Sequence, residues 1–333
     1  MSNLKIGMFG LGRIGLVFAE TLLSMSKSVQ LIAYSPAKRK RFAHLHSHPN
    51  FQFCADLKEM FAADFSGYIV ASPSDTHYDY LKKLVPKGKP IFCEKPIDLR
   101  ADKIARVATL AADHKVPVLV GFNRRFDPQV QSIKQSLQGG KIGDLHLLRL
   151  TSRDPNPPSL AFARSSGGLF LDMSIHDFDM LRFLTGSEPV SIFCKASLRS
   201  VPQFAAIGDV DTALTTVTMA DGTLVSIDNS RRTAYGYDQR IEAFGSKGMV
   251  QMNNQRHDET QLYSKNGQQA KPLKNFFMDR YAESYRREME HLIELIGNPD
   301  TISPAVDVHD ALIATKIAVA ASKSRKTGRE VYL

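Results

Sequence analysis

The first third of the chain alternates short apolar runs with longer stretches that carry apolar residues at helical spacing. The apolar runs predict buried strands at 4–9, 29–34, 68–71, 90–93 and 116–121. The stretches between them predict helices at 13–25 and around 56–63, 76–85 and 100–114. Strands that alternate with helices of this length are typical of βαβ units on a parallel sheet. We therefore predict an α/β fold with a doubly wound parallel sheet in residues 1–121.

Beyond residue 121 the pattern changes to longer segments in which apolar and polar residues alternate. These segments predict strands at 145–153, 190–199, 210–219, 223–230, 238–245, 248–252 and 260–263. Helical spacing predicts helices near 127–138, 171–184, 281–296 and 305–326. Asp221-Gly222 and Ser246-Lys247-Gly248 separate neighbouring strands and are hairpin signals. Residues 122–333 are therefore predicted to form an α+β domain with a mostly antiparallel sheet.

Length and composition change this picture little. A chain of 333 residues favours two domains, because single cores stop growing near ~250–300 residues. No apolar run approaches the ~18 residues of a membrane span, and the N-terminus lacks the apolar length of a signal peptide. The three cysteines are too widely spaced for a disulfide framework or a zinc site. We expect a cytoplasmic protein without a membrane partner.

The net charge of +9 raises the question of nucleic-acid binding. The basic residues are scattered along the chain, and no nucleic-acid-binding module is recognisable. We expect a small-molecule ligand and no nucleic acid. Alternating His44, His46 and His48 could bind a metal ion, but a solvated helix end and loop explains them better, so we expect no metal.

The turn between the first strand and the first helix carries the glycine pattern G-x-G-x-x-G. Gly10 permits a tight turn, Gly12 lets the backbone approach a pyrophosphate, and Gly15 lets the helix pack closely on the strand. Arg13 and Ile14 open the helix, whose N-terminus would face the phosphates. The motif alone is weak, but its strand–turn–helix context predicts a Rossmann domain that binds a dinucleotide.

A second polar segment follows the predicted strand 68–71. Ser72, Pro73 and His77 lie at the carboxyl end of that strand, where open α/β sheets bind ligands. We predict that they contact the cofactor. Ser74 or Asp75 could at the same time simply cap the following helix.

The position expected to contact the ribose is unusual. An acidic residue about twenty residues after the last glycine normally accepts the 2′-hydroxyl of NAD, and Ser35 stands there instead. Lys38 and Arg39 follow, within or just beyond the first turn if Pro36 starts a helix, and could hold a 2′-phosphate. The alternative is that these cations are solvated. We expect NADP to bind at least as well as NAD.

Three residues have the chemistry of alcohol oxidation. Glu94 and Lys95 end a predicted strand, so Lys95 projects at the carboxyl edge of the sheet beside the nicotinamide, and both are expected to contact the cofactor. Asp172 and His176 are four residues apart and share one face of a predicted helix. His176 suits a general base, Asp172 could orient a polar group, and Lys95 could lower the pKa of a substrate hydroxyl. Taken alone, Asp172 and His176 could be an ordinary surface pair.

Together these motifs resemble the glucose–fructose oxidoreductase / inositol dehydrogenase / rhizopine-catabolism family. The likeness rests on the glycine motif 10–15, Glu94-Lys95-Pro96 and Asp172-x-x-x-His176, in that order, and it covers nearly the whole chain. Phe122–Pro128 and Tyr235–Arg240 resemble the inositol 2-dehydrogenase branch of the family. Ser35 departs from the acidic residue usual in that branch.

The resemblance implies several further features. It implies a Rossmann domain followed by an open-sheet domain, with homo-oligomers (dimers or tetramers) built through that sheet. It implies Lys95, Asp172 and His176 as the catalytic residues, which would also contact substrate, and Arg125, Asn156 and Tyr237 as further polyol contacts. It also implies a tight turn with a cis bond between Lys95 and Pro96.

The expected function is hydride transfer between NAD(P) and a secondary hydroxyl of a cyclic polyol or sugar, as in inositol 2-dehydrogenase. A reductase of a keto or aldehydo sugar is the nearest alternative, because the same base acts as the acid in reverse. The alternative from another class is a non-catalytic dinucleotide-binding sensor or repressor. The presence of Lys95, Asp172 and His176 together argues against it.

Overall fold

The computed structural model describes residues 4–25, 28–36 and 39–333. Up to residue 126 its main elements are β1 Leu4–Phe9, α1 Arg13–Met25, β2 Val29–Tyr34, β3 Phe51–Cys54, α2 Leu57–Ala62, β4 Gly67–Val70, α3 Ser74–Leu84, β5 Ile91–Cys93, α4 Ala101–Asp113 and β6 Val118–Val120. They are followed by α5 Pro128–Gln138, β7 Leu145–Arg153, α6 Leu160–Ser165, α7 Ile175–Thr185, β8 Pro189–Ser197, β9 Thr212–Met219, β10 Leu224–Ser230, β11 Asp238–Gly245, β12 Gly248–Met252, β13 Gln261–Ser264, β14 Gly267–Ala270, α8 Phe277–Arg280, α9 Ala282–Gly297, α10 Val308–Thr327 and β15 Val331–Tyr332.

Strands β1 to β6 form one parallel sheet in the order β3-β2-β1-β4-β5-β6. The predicted doubly wound sheet is confirmed. The strand order reverses between β1 and β4, and the ligand crevice of such sheets lies at this switch point, outside the carboxyl ends of the strands. Strand β3 was not predicted. Its four residues include the polar Gln52, so the run is too short and too mixed to stand out as a buried strand.

The chain divides into two compact units. The first contains Met1–Phe126 and Glu283–Ile313, and the second contains Asp127–Ala282 and Ala314–Leu333. The sequence boundary at residue 121 assigned α9 to the second domain, whereas nearly all of this helix belongs to the first unit.

Packing explains where α9 lies. The ring of Tyr285 meets that of Phe18 edge to face at 5.7 Å between centroids, and Leu292 is fully buried. Ile296 fills the space above Gly67, where an added Cβ would come within 2.5 Å of its Cδ1. The apolar face of α9 is therefore part of the core of the first unit, a long-range contact that the local sequence pattern does not reveal.

The second unit contains a mixed seven-stranded sheet in the order β12-β11-β7-β10-β9-β8-β15. All its neighbouring pairs are antiparallel except β7 and β10, which are parallel. This confirms the predicted α+β class. Burial alternates along the strands, so one sheet face is packed while the other carries exposed apolar side chains, at Leu214, Leu224, Phe244 and Met249.

In the described part of the chain, no helix combines the length and the apolar character that crossing a membrane requires.

If α9 contributes to the core of the first unit, truncating Leu292 should destabilise that unit. We expect Leu292→Ala to lower the free energy of unfolding by about 2–5 kcal/mol, the usual cost of a buried leucine cavity. Urea unfolding followed by circular dichroism measures this loss. Glu294→Ala, at a side chain 62% exposed on the same helix, is the control. Equal losses in the two variants would contradict the packing described above.

Candidate active site

The glycine turn of the first unit has room for no other residue at two of its positions. Gly10 has a φ of +107°, and a Cβ there would lie 2.4 Å from the carbonyl oxygen of Ala71. A Cβ on Gly15 would lie 2.3 Å from the carbonyl oxygen of Gly10. Both contacts are far below van der Waals distance, so close packing of β1, β4 and α1 requires glycine at both positions.

The second glycine of the motif, Gly12, faces open space. A Cβ built on Gly12 would have no atom of the described residues within 4 Å, so none of them fills the volume next to it. Helix α1 begins at Arg13, and its first backbone bond runs from the N–H of Leu16 to the carbonyl of Gly12, 3.0 Å away. The N–H groups of Arg13, Ile14 and Gly15 belong to the first turn, which has no intrahelical acceptors. This turn fits a pyrophosphate group.

Ser35 follows β2 directly and is buried at its carboxyl end. The structure therefore places a small hydroxyl residue at the position where a ribose acceptor is expected. Lys38 lies outside the described residues. A 3₁₀ helix begins at Arg39, later than the start at Pro36 considered from the sequence. Whether Lys38 and Arg39 contact a 2′-phosphate stays a prediction.

His77 connects two loops at the carboxyl ends of the parallel strands. Its side chain is buried, and its ring nitrogens lie 2.9 Å from the carbonyl oxygen of Pro96 and 2.8 Å from that of Ser72. Burial lowers the pKa of this imidazole. Helix α3 begins at Ser74 with Pro73 at its N-cap, so neither Ser74 nor Asp75 supplies the side-chain cap considered from the sequence. The imidazole of His77 thus links the Ser72 loop and the Pro96 turn through their main-chain carbonyls.

The predicted cis bond between Lys95 and Pro96 is confirmed. The neighbouring Glu94 is buried, and its carboxylate accepts the backbone N–H of Lys95 at 3.0 Å. The carboxylate also packs against Gly121, where a Cβ would come within 3.0 Å. Glu94 therefore holds the backbone of the turn that carries Lys95, and its contact with the cofactor stays a prediction.

Burial also determines the protonation of this region. Loss of solvent raises the pKa of Glu94 to about 7, although the charge of Lys95 opposes the rise. Glu288 on α9 is fully buried, and both burial and the charge of Glu94 raise its pKa well above the usual value. Two neighbouring buried carboxyl groups disfavour ionisation of both at once.

In the second unit, Asp172 and His176 lie on successive helical segments of different form. Asp172 is in a π-helical turn, Phe170–Ser174, and His176 is in the first turn of α7. The sequence had predicted one helix from about residue 171. Wide turns of this kind recur at functional sites. Just before the π-turn, the N–H of Leu169 donates to the carboxylate of Asp209 at 3.0 Å.

A buried polar network lies beside His176. The carboxylate of Asp177 accepts the hydroxyl of Ser152 at 2.6 Å and the side-chain amide of Asn229 at 2.8 Å. Ser174 donates in turn to Asn229 at 2.6 Å. All four side chains are essentially inaccessible to solvent. The network ties the segment that carries His176 to the parallel strands β7 and β10.

Arg231 ties Asp172 to the end of β10. It is almost completely buried, and its Nη1 donates to the carboxylate of Asp172 at 2.8 Å. Neither Arg231 nor the Asp177 network was predicted from the sequence. The available signal was weak, because Asn229 lies within the predicted strand 223–230 and Arg231 just after it, and no motif marks either residue.

The three further residues predicted to bind polyol differ in their surroundings. Arg125 is buried in the first unit, where it pairs with Asp310 at 3.0 Å and donates to the carbonyl of Ala305 at 3.1 Å. In the second unit, Asn156 is exposed in the loop after β7. Tyr237 is buried, with its ring against those of Phe276 and Tyr281, at 6.2 and 6.1 Å between centroids. The ion pair and the hydrogen bond of Arg125 thus lie within the first unit, and its polyol contact stays a prediction.

His44, the first of the alternating histidines, lies 2.8 Å from the carboxylate of Glu20. His46 makes tilted and edge-to-face contacts with the rings of Phe42, Phe51 and Phe53. The described residues contain no group of three potential ligands that could hold a metal ion.

Both halves of the chain match known family models. Residues 4–122 match the oxidoreductase family with an NAD-binding Rossmann fold, and residues 130–251 match the GFO/IDH/MocA C-terminal domain. The chain belongs to the Gfo/Idh/MocA oxidoreductase family. The resemblance inferred from the motifs is confirmed, and the chain is an oxidoreductase with an NAD-binding domain.

Individual relatives match over the full length. Inositol 2-dehydrogenase of Rhizobium meliloti is 38% identical over 334 residues, 99% of each chain. Myo-inositol 2-dehydrogenase of Thermotoga maritima is 37% identical over 332 residues, 99% of this chain and 98% of its own. The solved structure of scyllo-inositol dehydrogenase from Lactobacillus casei, with bound NAD(H) and scyllo-inositol, is 28% identical, covers 99% of both chains and has a TM-score of 0.89.

The raised pKa of Glu94 makes a prediction about stability. Between the ordinary glutamate value of 4.5 and about 7, the native state binds more protons than the unfolded state, so the free energy of unfolding falls as pH rises. Glu94→Gln stays neutral and keeps an acceptor for the N–H of Lys95. We expect the melting temperature of this variant to fall less than that of the parent between about pH 5 and about pH 8.

Thermal melts of the parent, Glu94→Gln and the exposed control Glu294→Gln at the two pH values measure this difference. Parallel pH dependence in all three proteins would show that Glu94 ionises as readily in the fold as in the unfolded chain.

Proposed function

We propose that the chain catalyses reversible hydride transfer between NAD(P) and a secondary hydroxyl of a cyclic polyol or sugar, as an inositol 2-dehydrogenase. The observation that carries the proposal is the fixed segment 172–177, where buried partners hold Asp172 and Asp177 on either side of His176. A protein that only sensed a dinucleotide would have no need for an acid–base pair held in this way. The full-length likeness to inositol dehydrogenases supports the substrate class.

The first unit would hold the cofactor. The N–H groups at the start of α1 would bind the pyrophosphate, with Gly12 leaving room for it, and Ser35 would face the ribose. Ser72 and Pro73 would lie against the dinucleotide. His77 would position the two loops beside the dinucleotide, because its ring contacts the carbonyls of Ser72 and Pro96. The bound cofactor supplies the nicotinamide ring that accepts or returns the hydride.

The protein residues would manage the proton. His176 would remove the proton of the reacting hydroxyl, and it would return that proton when the reaction runs backwards. Asp172 would accept a hydrogen bond from a polar group of the substrate or of His176. The ammonium of Lys95 would stabilise negative charge that develops on the reacting oxygen. Asn156, Tyr237 and Arg125 are the proposed further contacts to the polyol.

We further propose a homo-oligomer, a dimer or a tetramer, formed through the open face of the seven-stranded sheet. Support comes from four apolar side chains on that face that are 44–59% exposed: Leu214, Leu224, Phe244 and Met249. Exposed apolar patches of this kind mark interaction surfaces. A cytoplasmic location stays a prediction.

The test of the proposed function is an absorbance assay at the nicotinamide band with a panel of inositols and sugars and both cofactors. We expect oxidation of at least one cyclic polyol, at a rate that a chelator leaves unchanged. Turnover confined to keto or aldehydo sugars would favour the reductase. Cofactor binding without any turnover would favour a sensor or repressor.

Replacement of the base should affect chemistry and spare the cofactor. We expect His176→Ala to reduce kcat by about 10²–10⁴-fold, the usual contribution of a positioned general base. The Kd for the cofactor, measured by fluorescence titration, should stay within about twofold of the parent value, since this residue belongs to the other unit. Near-normal turnover in this variant would remove His176 from the mechanism.

Cofactor preference depends on Ser35. Without a carboxylate at this position a 2′-phosphate meets no repulsion, and charge-assisted bonds from Lys38 or Arg39 would favour it. We expect NADP to bind at least as tightly as NAD when both Kd values are measured at one ionic strength. Ser35→Asp should shift the preference toward NAD, and Lys38→Ala should weaken NADP alone. Tenfold tighter binding of NAD by the parent would show that Ser35 serves the ribose directly.

A further inference from the structure

We infer that Arg231 is a positioning residue for the reaction. It holds the carboxylate of Asp172 in place through a hydrogen-bonded ion pair. The inference rests on the proposed function, because the role of Asp172 is part of that proposal. Arg231 itself is buried and contacts Asp172, so it would act on the substrate only through that carboxylate.

The geometry leaves the guanidinium little freedom. Arg231 follows β10 directly, and its backbone N–H donates to the carbonyl of Asp211 at 2.8 Å, which continues the pairing with the neighbouring strand. The side chain is only 2% exposed. Its Nη1 lies 2.8 Å from Oδ2 of Asp172 and 3.7 Å from Oδ2 of Asp154. One guanidinium thus reaches the π-turn and the loop after β7 together.

The guanidinium of Arg231 interacts with three carboxylates. Asp172 in the π-turn, Asp154 after β7 and Asp209 before β9 all face it, and their attraction raises the pKa of the guanidinium despite its burial. Arg231 forms an ion pair with Asp172 at 2.8 Å. Removal of one partner from a buried ion pair leaves the other charge uncompensated, which is strongly unfavourable.

Arg231 also completes a two-point attachment. Two residues earlier, Asn229 holds Asp177. Arg231 and Asn229, two residues apart in the chain, thus hold Asp172 and Asp177, and His176 lies between these two attachment points in the sequence.

The decisive experiment is a double-mutant cycle between Arg231 and Asp172. We expect Arg231→Met to lower kcat about 10²-fold, the scale of a small misplacement of a reacting group. In the Asp172→Asn background the same change should have little further effect, since the carboxylate that Arg231 positions is gone. Arg231→Lys keeps the charge without the planar guanidinium and should lose less activity than Arg231→Met.

The pH profile separates positioning from general loss of structure. A neighbouring cation favours the ionised form of a carboxylate, so in Arg231→Met the acidic limb of the kcat/KM profile should move to higher pH. Arg182→Met is the matched control. Arg182 is only 11% exposed and forms a two-bond ion pair with Glu188 at 2.6 and 2.7 Å, at the far end of α7. This control should lose stability but keep the parent profile.

Thermal melts of the same four proteins of the cycle give a readout that needs no substrate. Non-additive changes in Tm would support the pairing even if no polyol were turned over, and the proposed function alone would then fail. Equal loss of kcat by Arg231→Met in both backgrounds would overturn the inference, as would a parent-like profile in Arg231→Met or additive changes in Tm.

Discussion

A polar group taken out of water must find its partner inside the protein, and the second unit depends on this requirement. Asp177 is buried beside His176, so the hydroxyl of Ser152 and the amide of Asn229 have to reach it. Both partners are available only because β7 and β10 run side by side in parallel, with Ser152 opposite Asn229 in register. The one parallel pair of an otherwise antiparallel sheet thus determines where the segment 172–177 lies. Arg231 adds the second attachment at the end of β10.

The first unit meets a different constraint, which is steric. The loops after β1, β4 and β5 lie at the carboxyl edge of the sheet. Gly10 lets the first loop approach the second, and Gly15 lets α1 pack on the first, because a Cβ at either position would collide with main-chain atoms. His77 then links two of these loops through carbonyl oxygens, and the carboxylate of Glu94 supports the backbone of Lys95. Residues that the motifs mark as a cofactor site therefore divide into two groups. Some leave room for a ligand, and others hold the loops that would touch it.

The elements that the sequence predicted well are those with a local cause. The glycine turn, α1 and the parallel strands follow from short-range sterics and from apolar runs. The elements that it missed depend on distant partners. The four-residue β3 exists because Phe51–Cys54 pairs with β2, and α9 belongs to the first unit because its apolar face packs against Phe18 and Gly67. An amphipathic pattern states that a helix has a buried face but does not state which core receives it.

The candidate site divides in the same way. The sequence by itself determined the family, the Rossmann glycine turn and the residue types of Lys95, Asp172 and His176, because these lie in short motifs whose chemistry is legible from residue type and spacing. Only the tertiary structure decided that Asp172 is paired with Arg231 and that Asp177 is buried. The partners in these pairs are 59 and 52 residues apart in the chain, for Arg231–Asp172 and Asn229–Asp177. Electrostatic and hydrogen-bond complementarity acts through space, and a linear pattern carries no information about which distant groups the fold brings within 3 Å of one another.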